Sequence, residues 1–116
     1  MTAIWTRQWT EVCRFDDLEP ERGVAALVGG DQVAVFRTHD GAVYAVSNYD
    51  PCSGAYVLSR GIVGTRGHAP TVASPMFKDV YDLRTGECFG QPNVMIRTYA
   101  VSCTDGIVRV AARDPS

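Results

Sequence analysis

Three hairpin signatures constrain this chain more than any other feature of its sequence. "QVAVFRT" and "AVYAVSN" flank "HDG", where Asp40-Gly41 suits a tight turn. "YAVSC" and "IVRVAA" flank "TDG" towards the C-terminus, and "DVYDLRTGECF" turns at Thr85-Gly86. Alternation within these runs predicts strands with one buried and one wetter face. In "FDDLEPERGVAAL", Pro20 and Gly23 oppose a long helix, so the segment reads as a connecting loop entering another strand. No segment sustains a helical period long enough for a major helix. The expectation is a single domain over residues 1–116, an antiparallel β sandwich or partial barrel with no internal linker.

A chain of 116 residues buries roughly two-thirds of the surface its unfolded form exposes, so its core needs no staple. Hydrophobic residues at 46% and charged residues at 21% suit a soluble globular domain. A net charge of -2 predicts no strong attraction to nucleic acid or anionic membrane. No apolar run approaches the roughly 20 residues needed to span a bilayer. "MTAIWTRQWTEV" lacks the basic start and apolar core of a secretory signal. The expected address is therefore the cytoplasm, with Cys13, Cys52, Cys88 and Cys103 as reduced thiols.

Two regions depart from the meander: residues 48–64, "NYDPCSGAYVLSRGIVG", and residues 65–78, "TRGHAPTVASPMFK". Both carry proline and glycine, and two long loops on a rigid β scaffold are where function is expected. Neither contains paired carboxylates, a Ser-His-Asp set, a phosphate-cradling glycine loop or a basic aromatic stripe. Cys52, His39 and His68 lack the close spacing of a zinc site. His39 is expected in a solvated turn and His68 in a flexible loop. Cys13, Cys88 and Cys103 are expected as small buried hydrophobes. Cys52 is expected to be the most exposed thiol, with no adjacent His or Lys to lower its pKa. Trp5 and Trp9 read as packing anchors.

At the two loops the chain resembles the Rieske iron–sulfur domain. Asn48, Pro51, Gly54, Leu58 and Gly61 keep the frame of that family's first motif, N-x-C-P-H-x-G followed by Leu and Gly. Pro75 and "YDLRTGE" from Tyr81 keep the second, C-P-x-H-G followed by F-D-L-x-T-G. The ligand positions differ. The first Cys is Asp50 and its His is Cys52; in the second loop the Cys is Ser74 and the His is Phe77, with Lys78 in place of the next glycine. A Rieske centre takes two thiolates on one iron and two imidazoles on the other. Phe77 cannot coordinate iron, and a Ser74 hydroxyl is a poor substitute for a soft thiolate. The resemblance implies an all-β, Rieske-like antiparallel β-sandwich with two long loops, free of cluster and of metal.

A narrower resemblance lies in "DPCSGAYVLSRGIVG" and "ASPMFKDVYDL", which are similar to the small subunit of the bacterial assimilatory NAD(P)H-dependent nitrite reductase. It implies a non-catalytic subunit in nitrate assimilation. Its partner would be a large subunit carrying FAD, an iron–sulfur cluster and siroheme, which reduces nitrite to ammonia. Tyr49, Arg60, Met76 and Lys78 are the expected partner-binding residues. Arg60 has an alternative use, an ion pair with Asp50 that organises the loop in place of the cluster. Tyr49, Tyr56, Met76 and Phe77 are expected to plug the cluster space or to form a docking patch. The alternative functions are a Rieske-type [2Fe-2S] electron carrier for an oxygenase or reductase, and a free-standing binding module.

Overall fold

The computed structural model describes residues 8–76 and 79–112, so Trp5, Phe77 and Lys78 lie outside the described residues. Six strands, β1 (Thr10–Arg14), β2 (Arg22–Val28), β3 (Asp31–Arg37), β4 (Val43–Ser47), β10 (Thr98–Thr104) and β11 (Ile107–Ala112), form an antiparallel sheet in the order β1-β11-β10-β4-β3-β2. A three-stranded sheet contains β7 (Ile62–Arg66), β8 (Ala69–Ala73) and β9 (Val80–Asp82), and β5 (Tyr49–Asp50) pairs with β6 (Ala55–Tyr56). The described helical turns are short 3-10 turns, Phe15–Asp17 and Leu58–Arg60.

Local turn chemistry explains the hairpins. Asp105 and Gly106 carry φ of 55 and 76°, the left-handed pair a tight hairpin turn requires, and they join β10 to β11. Gly41 at φ 86° closes the turn between β3 and β4. The second loop is shorter than the sequence suggested. Residues 62–73 form the hairpin β7–β8 around Gly67-His68, and only Ser74 to Asp79 links β8 to β9. Pro70 is accommodated because its carbonyl accepts from the Leu83 amide on the β9 side, so its missing N–H faces away from β7.

The six-stranded sheet is covered on both faces. Val33 and Val35 of β3 join one core cluster with Leu18, Tyr99, Val108 and Val110, while Ala34 and Phe36 join the other with Val46, Leu58, Val72 and Tyr81. This explains why "VAVF" reads as a continuous apolar run where alternation was expected. Each such fully buried side chain is worth about 1.5–3 kcal/mol relative to exposure. Leu58 inserts the first loop into the second cluster with no exposed surface. Gly61 lets that turn lie against β8: a Cβ there would stand 2.5 Å from the Ala73 carbonyl oxygen.

Candidate functional site

The first loop is closed at its base by Asn48. Its Oδ1 accepts from the Ser59 amide at 2.7 Å, and its Nδ2 donates to the Tyr56 carbonyl at 3.3 Å. Within the loop, the Gly54 amide donates to the Asp50 carbonyl at 2.8 Å, which Gly54 permits by taking φ of 73°. This turn points the Asp50 side chain into the protein, where the residue is completely buried.

Neutral donors surround that carboxylate. Ser74 Oγ donates to Oδ2 at 2.5 Å, Tyr81 OH donates to Oδ1 at 2.7 Å, and the Cys52 amide donates to Oδ1 at 3.1 Å. Burial works to raise the Asp50 pKa, but the hydrogen bonds from Ser74 and Tyr81 outweigh it and hold the carboxyl below its usual range. Burial, then the contacts with Cys52 and Asp50, push the Tyr81 phenol well above its ordinary value. Ser74 Oγ also accepts from the Met76 amide at 3.2 Å, so the second loop is organised from the same centre.

Cys52 sits on the rim of this knot. Its Sγ lies 3.5 Å from Tyr81 OH and accepts from Gln91 Nε2 at 3.3 Å, and the same Nε2 donates to Asp79 Oδ1 at 3.2 Å. The Tyr81 hydroxyl favours the thiolate, but burial and the Asp79 and Asp50 charges prevail and raise the thiol. Ligand atoms of Asp50, Cys52 and Asp79 lie within 4.8 Å of one another. Both Asp50 oxygens, however, are already taken by hydrogen-bond donors, and Cys52 favours its protonated form. One thiol and no imidazole cannot satisfy a [2Fe-2S] centre, so the residues present do not fit that group. His39 and His68 line a separate hollow with Asp40, Tyr44 and Arg84.

Several expectations need correction. No ion pair joins Asp50 to Arg60: Asp50 is wholly buried among neutral donors, and Arg60 stands exposed at the start of the approach to β7. Tyr49, Tyr56 and Met76 do not plug the cluster space, because the polar knot occupies it; they are 38%, 57% and 54% exposed. The two tyrosine rings pack on each other with centroids 5.0 Å apart. Cys88 is buried as expected, but Cys13 is half-buried and Cys103 is exposed, which makes Cys103 and not Cys52 the most exposed thiol. Trp9 is 41% exposed. Sequence reasoning did not single out Tyr81, Asp79 or Gln91 individually. Only the "YDL" frame pointed to Tyr81, and nothing local pairs a residue with a partner 31 positions away.

Comparison with known proteins places this geometry. A family profile described as a Rieske-like [2Fe-2S] domain matches residues 8–111. The nitrite reductase (NADH) small subunit of Escherichia coli K12 is 39% identical over 104 residues, 89% of this chain and 96% of that protein. The crystal structure of a Mycobacterium tuberculosis protein assigned as an NADH-dependent nitrite reductase small subunit superimposes with a TM-score of 0.91 at 45% identity, covering 95% of this chain and 99% of that one. The nitrite reductase [NAD(P)H] large subunit of Klebsiella oxytoca contains a stretch 38% identical over 109 residues, 93% of this chain and 11% of that protein.

Proposed function

Because this chain belongs to the Rieske-like [2Fe-2S] domain family, we propose that it is the cluster-free small subunit of a bacterial NAD(P)H nitrite reductase and binds that enzyme's large subunit. One observation carries the reading. A close relative of nearly the whole chain occurs as a separate small subunit in one bacterium and within the large subunit in another. The occurrence of one domain both separate from and joined to a large subunit supports contact between the two. The large subunit, expected to carry FAD, an iron–sulfur cluster and siroheme, performs the reduction of nitrite to ammonia. This chain supplies a folded surface and no redox group. Its place of action is the cytoplasm, and among the described residues no helix is long and apolar enough to cross a membrane.

The docking surface proposed for the loops includes Tyr49, Met76 and Arg60, which are exposed, together with Lys78. The polar knot, which ties Asp50 of the first loop to Ser74 and the Met76 amide of the second, holds the two loops in fixed relation, which keeps such a surface preorganised. An electron-carrier reading is disfavoured by the donor set, which offers one thiol where two thiolates and two imidazoles are required.

The test is co-purification. A tagged form of this chain, expressed in nitrate-grown cells, should retain the nitrite reductase large subunit, identified by mass and by siroheme absorbance. Absence of that subunit, both from the cell extract and from a mixture of purified components, would rule the function out.

A further inference from the structure

Both histidines of this chain line one hollow, about 200 Å³ in volume, between hairpins of two different sheets. The turn from β3 to β4 contributes His39, and the two-residue turn from β7 to β8 contributes His68. Glu21 joins them from the segment ahead of β2. It is held there by the Pro20–Arg37 bridge and by its own amide, which donates to the Arg37 carbonyl. The three residues stand far apart in sequence, so no local spacing announces them as a set.

The side chains of these three residues are uncommitted, unlike the other charged groups on the hollow. Asp40 accepts from the Thr38 hydroxyl and from the Ala42 amide at 3.3 Å, and Arg84 pairs with Asp82 at 3.2 Å. Among the described residues, Glu21, His39 and His68 make no side-chain hydrogen bond or ion pair. All three are exposed and free to reorient. Charge decides the kind of ligand. Glu21 and Asp40 bring two carboxylates to the hollow, and the Arg84 guanidinium is neutralised by Asp82, so a cation is favoured over an anion. Two imidazoles and a carboxylate then select among cations. That donor set suits zinc and neighbouring transition ions, whereas Mg2+ and Ca2+ seek oxygen alone.

We propose that Glu21, His39 and His68 form a site for a divalent transition-metal ion of the Zn2+ class, bridging the two sheets. The ion completes the site by drawing in exposed side chains. Among the described residues, the ligand atoms that already lie within 4.8 Å of one another are those of Asp50, Cys52 and Asp79, at the other site. Occupancy at the hollow therefore follows the available ion and is not a condition of folding. The β3–β4 turn is closed without it, by the Thr38 amide on the Ala42 carbonyl at 2.9 Å and the Gly41 amide on the Thr38 carbonyl at 3.0 Å. β7 and β8 likewise keep their register up to the pair Arg66–Ala69 beside His68.

Calorimetric titration of Zn2+ into the purified, chelator-treated chain tests this. His39→Ala and His68→Ala should each weaken binding by about tenfold or more, since even a residue that only orients a ligand contributes that much. Both side chains are exposed, so both variants should keep the wild-type fold. On the wild-type chain, the imidazole proton resonances of His39 and His68 should move together as Zn2+ is added, a measurement that needs no variant. Co2+ in place of Zn2+ identifies the donors by absorbance, and nitrogen and oxygen ligands give no thiolate-to-metal charge transfer. Failure of the wild type to bind Zn2+ overturns the site, as does a loss of affinity in neither or only one of the two histidine variants. Thiolate charge transfer assigns the ion to the cysteines and overturns it. Mg2+ bound as tightly as Zn2+ reduces the hollow to an acidic surface and overturns it as well.

Discussion

Ser74 Oγ donates a 2.5 Å hydrogen bond to Asp50 Oδ2 across 24 residues of sequence, joining the two loops that the Rieske resemblance singles out. These are the positions where that resemblance places the two cysteines of one iron. The contact that a metal would make between the loops is made here by a hydroxyl and a carboxylate, with Tyr81 as a second donor at 2.7 Å.

Removing the acceptor should therefore be more damaging than removing one donor. Asp50→Ala leaves the Ser74 and Tyr81 hydroxyls without their buried partner, at about 1–3 kcal/mol each, whereas Ser74→Ala should cost about 1.5 kcal/mol. Urea midpoints of the two variants and of the double variant measure this. The double should fall short of the sum, because the residues share one network. Strict additivity would show that the two residues are energetically independent.

The depressed Asp50 pKa makes stability depend on acidity. Its stabilising contribution is complete above the unfolded-state value of about 3.9 and is lost as pH falls through the lower folded-state value. Asp50→Asn should lower stability at neutral pH and flatten the acid limb. It should not abolish that limb: burial raises the Asp82 pKa, but hydrogen bonds and charge from Arg84 hold it low, so Asp82 adds a term of the same sign. Denaturant titrations between about pH 2 and 6 read both slopes. Parallel slopes for wild type and variant would contradict the assignment.

A chelator should leave the thermal transition of the purified chain in place, because its loops are held by protein groups. A large fall in melting temperature on chelation would require a structural metal. Likewise Asp50→Cys alone should not bind iron, which visible absorption after reconstitution would detect.

The raised Cys52 thiol should alkylate more slowly at neutral pH than free cysteine does, since the thiolate is the reacting form. Asp79→Asn removes one of the charges that raises it and should accelerate labelling at Cys52, read by peptide mass spectrometry. An unchanged rate would remove Asp79 as a cause of the shift.

Arg60→Glu combined with Met76→Asp should weaken binding to the large subunit by about 2 kcal/mol or more if these residues lie near the centre of the interface. The free variant should melt close to the wild type, because Arg60 is exposed and forms no pair with Asp50. Unchanged affinity in a folded variant would move the docking face off the loops.

The hairpins were legible because their signal is local: Asp105-Gly106 and Gly41 adopt backbone angles that few other residues tolerate. The β7–β8 hairpin was hidden for the converse reason. Gly64 and Pro70 read as loop residues, and only the orientation of Pro70 towards β9 makes it compatible with a strand. The frame of the site was legible in Asn48, Gly54 and Gly61, but its chemistry was not. A sequence presents Asp50 as a charge in search of a cation, and Arg60 was the nearest in the loop. Complete burial reverses that preference, since a carboxylate inside the protein is better held by fixed neutral dipoles than by a long, exposed side chain that remains in water.

The knot at Asp50 also changes what this part of the molecule responds to. A centre made of iron and sulfur exchanges electrons, and its state follows the ambient redox potential. One made of a carboxylate, a serine and a tyrosine exchanges only protons. The hydrogen-bonded network itself therefore offers no group that changes oxidation state, and the nearest oxidisable atom is the Cys52 sulfur on its rim, 3.5 Å from the Tyr81 hydroxyl.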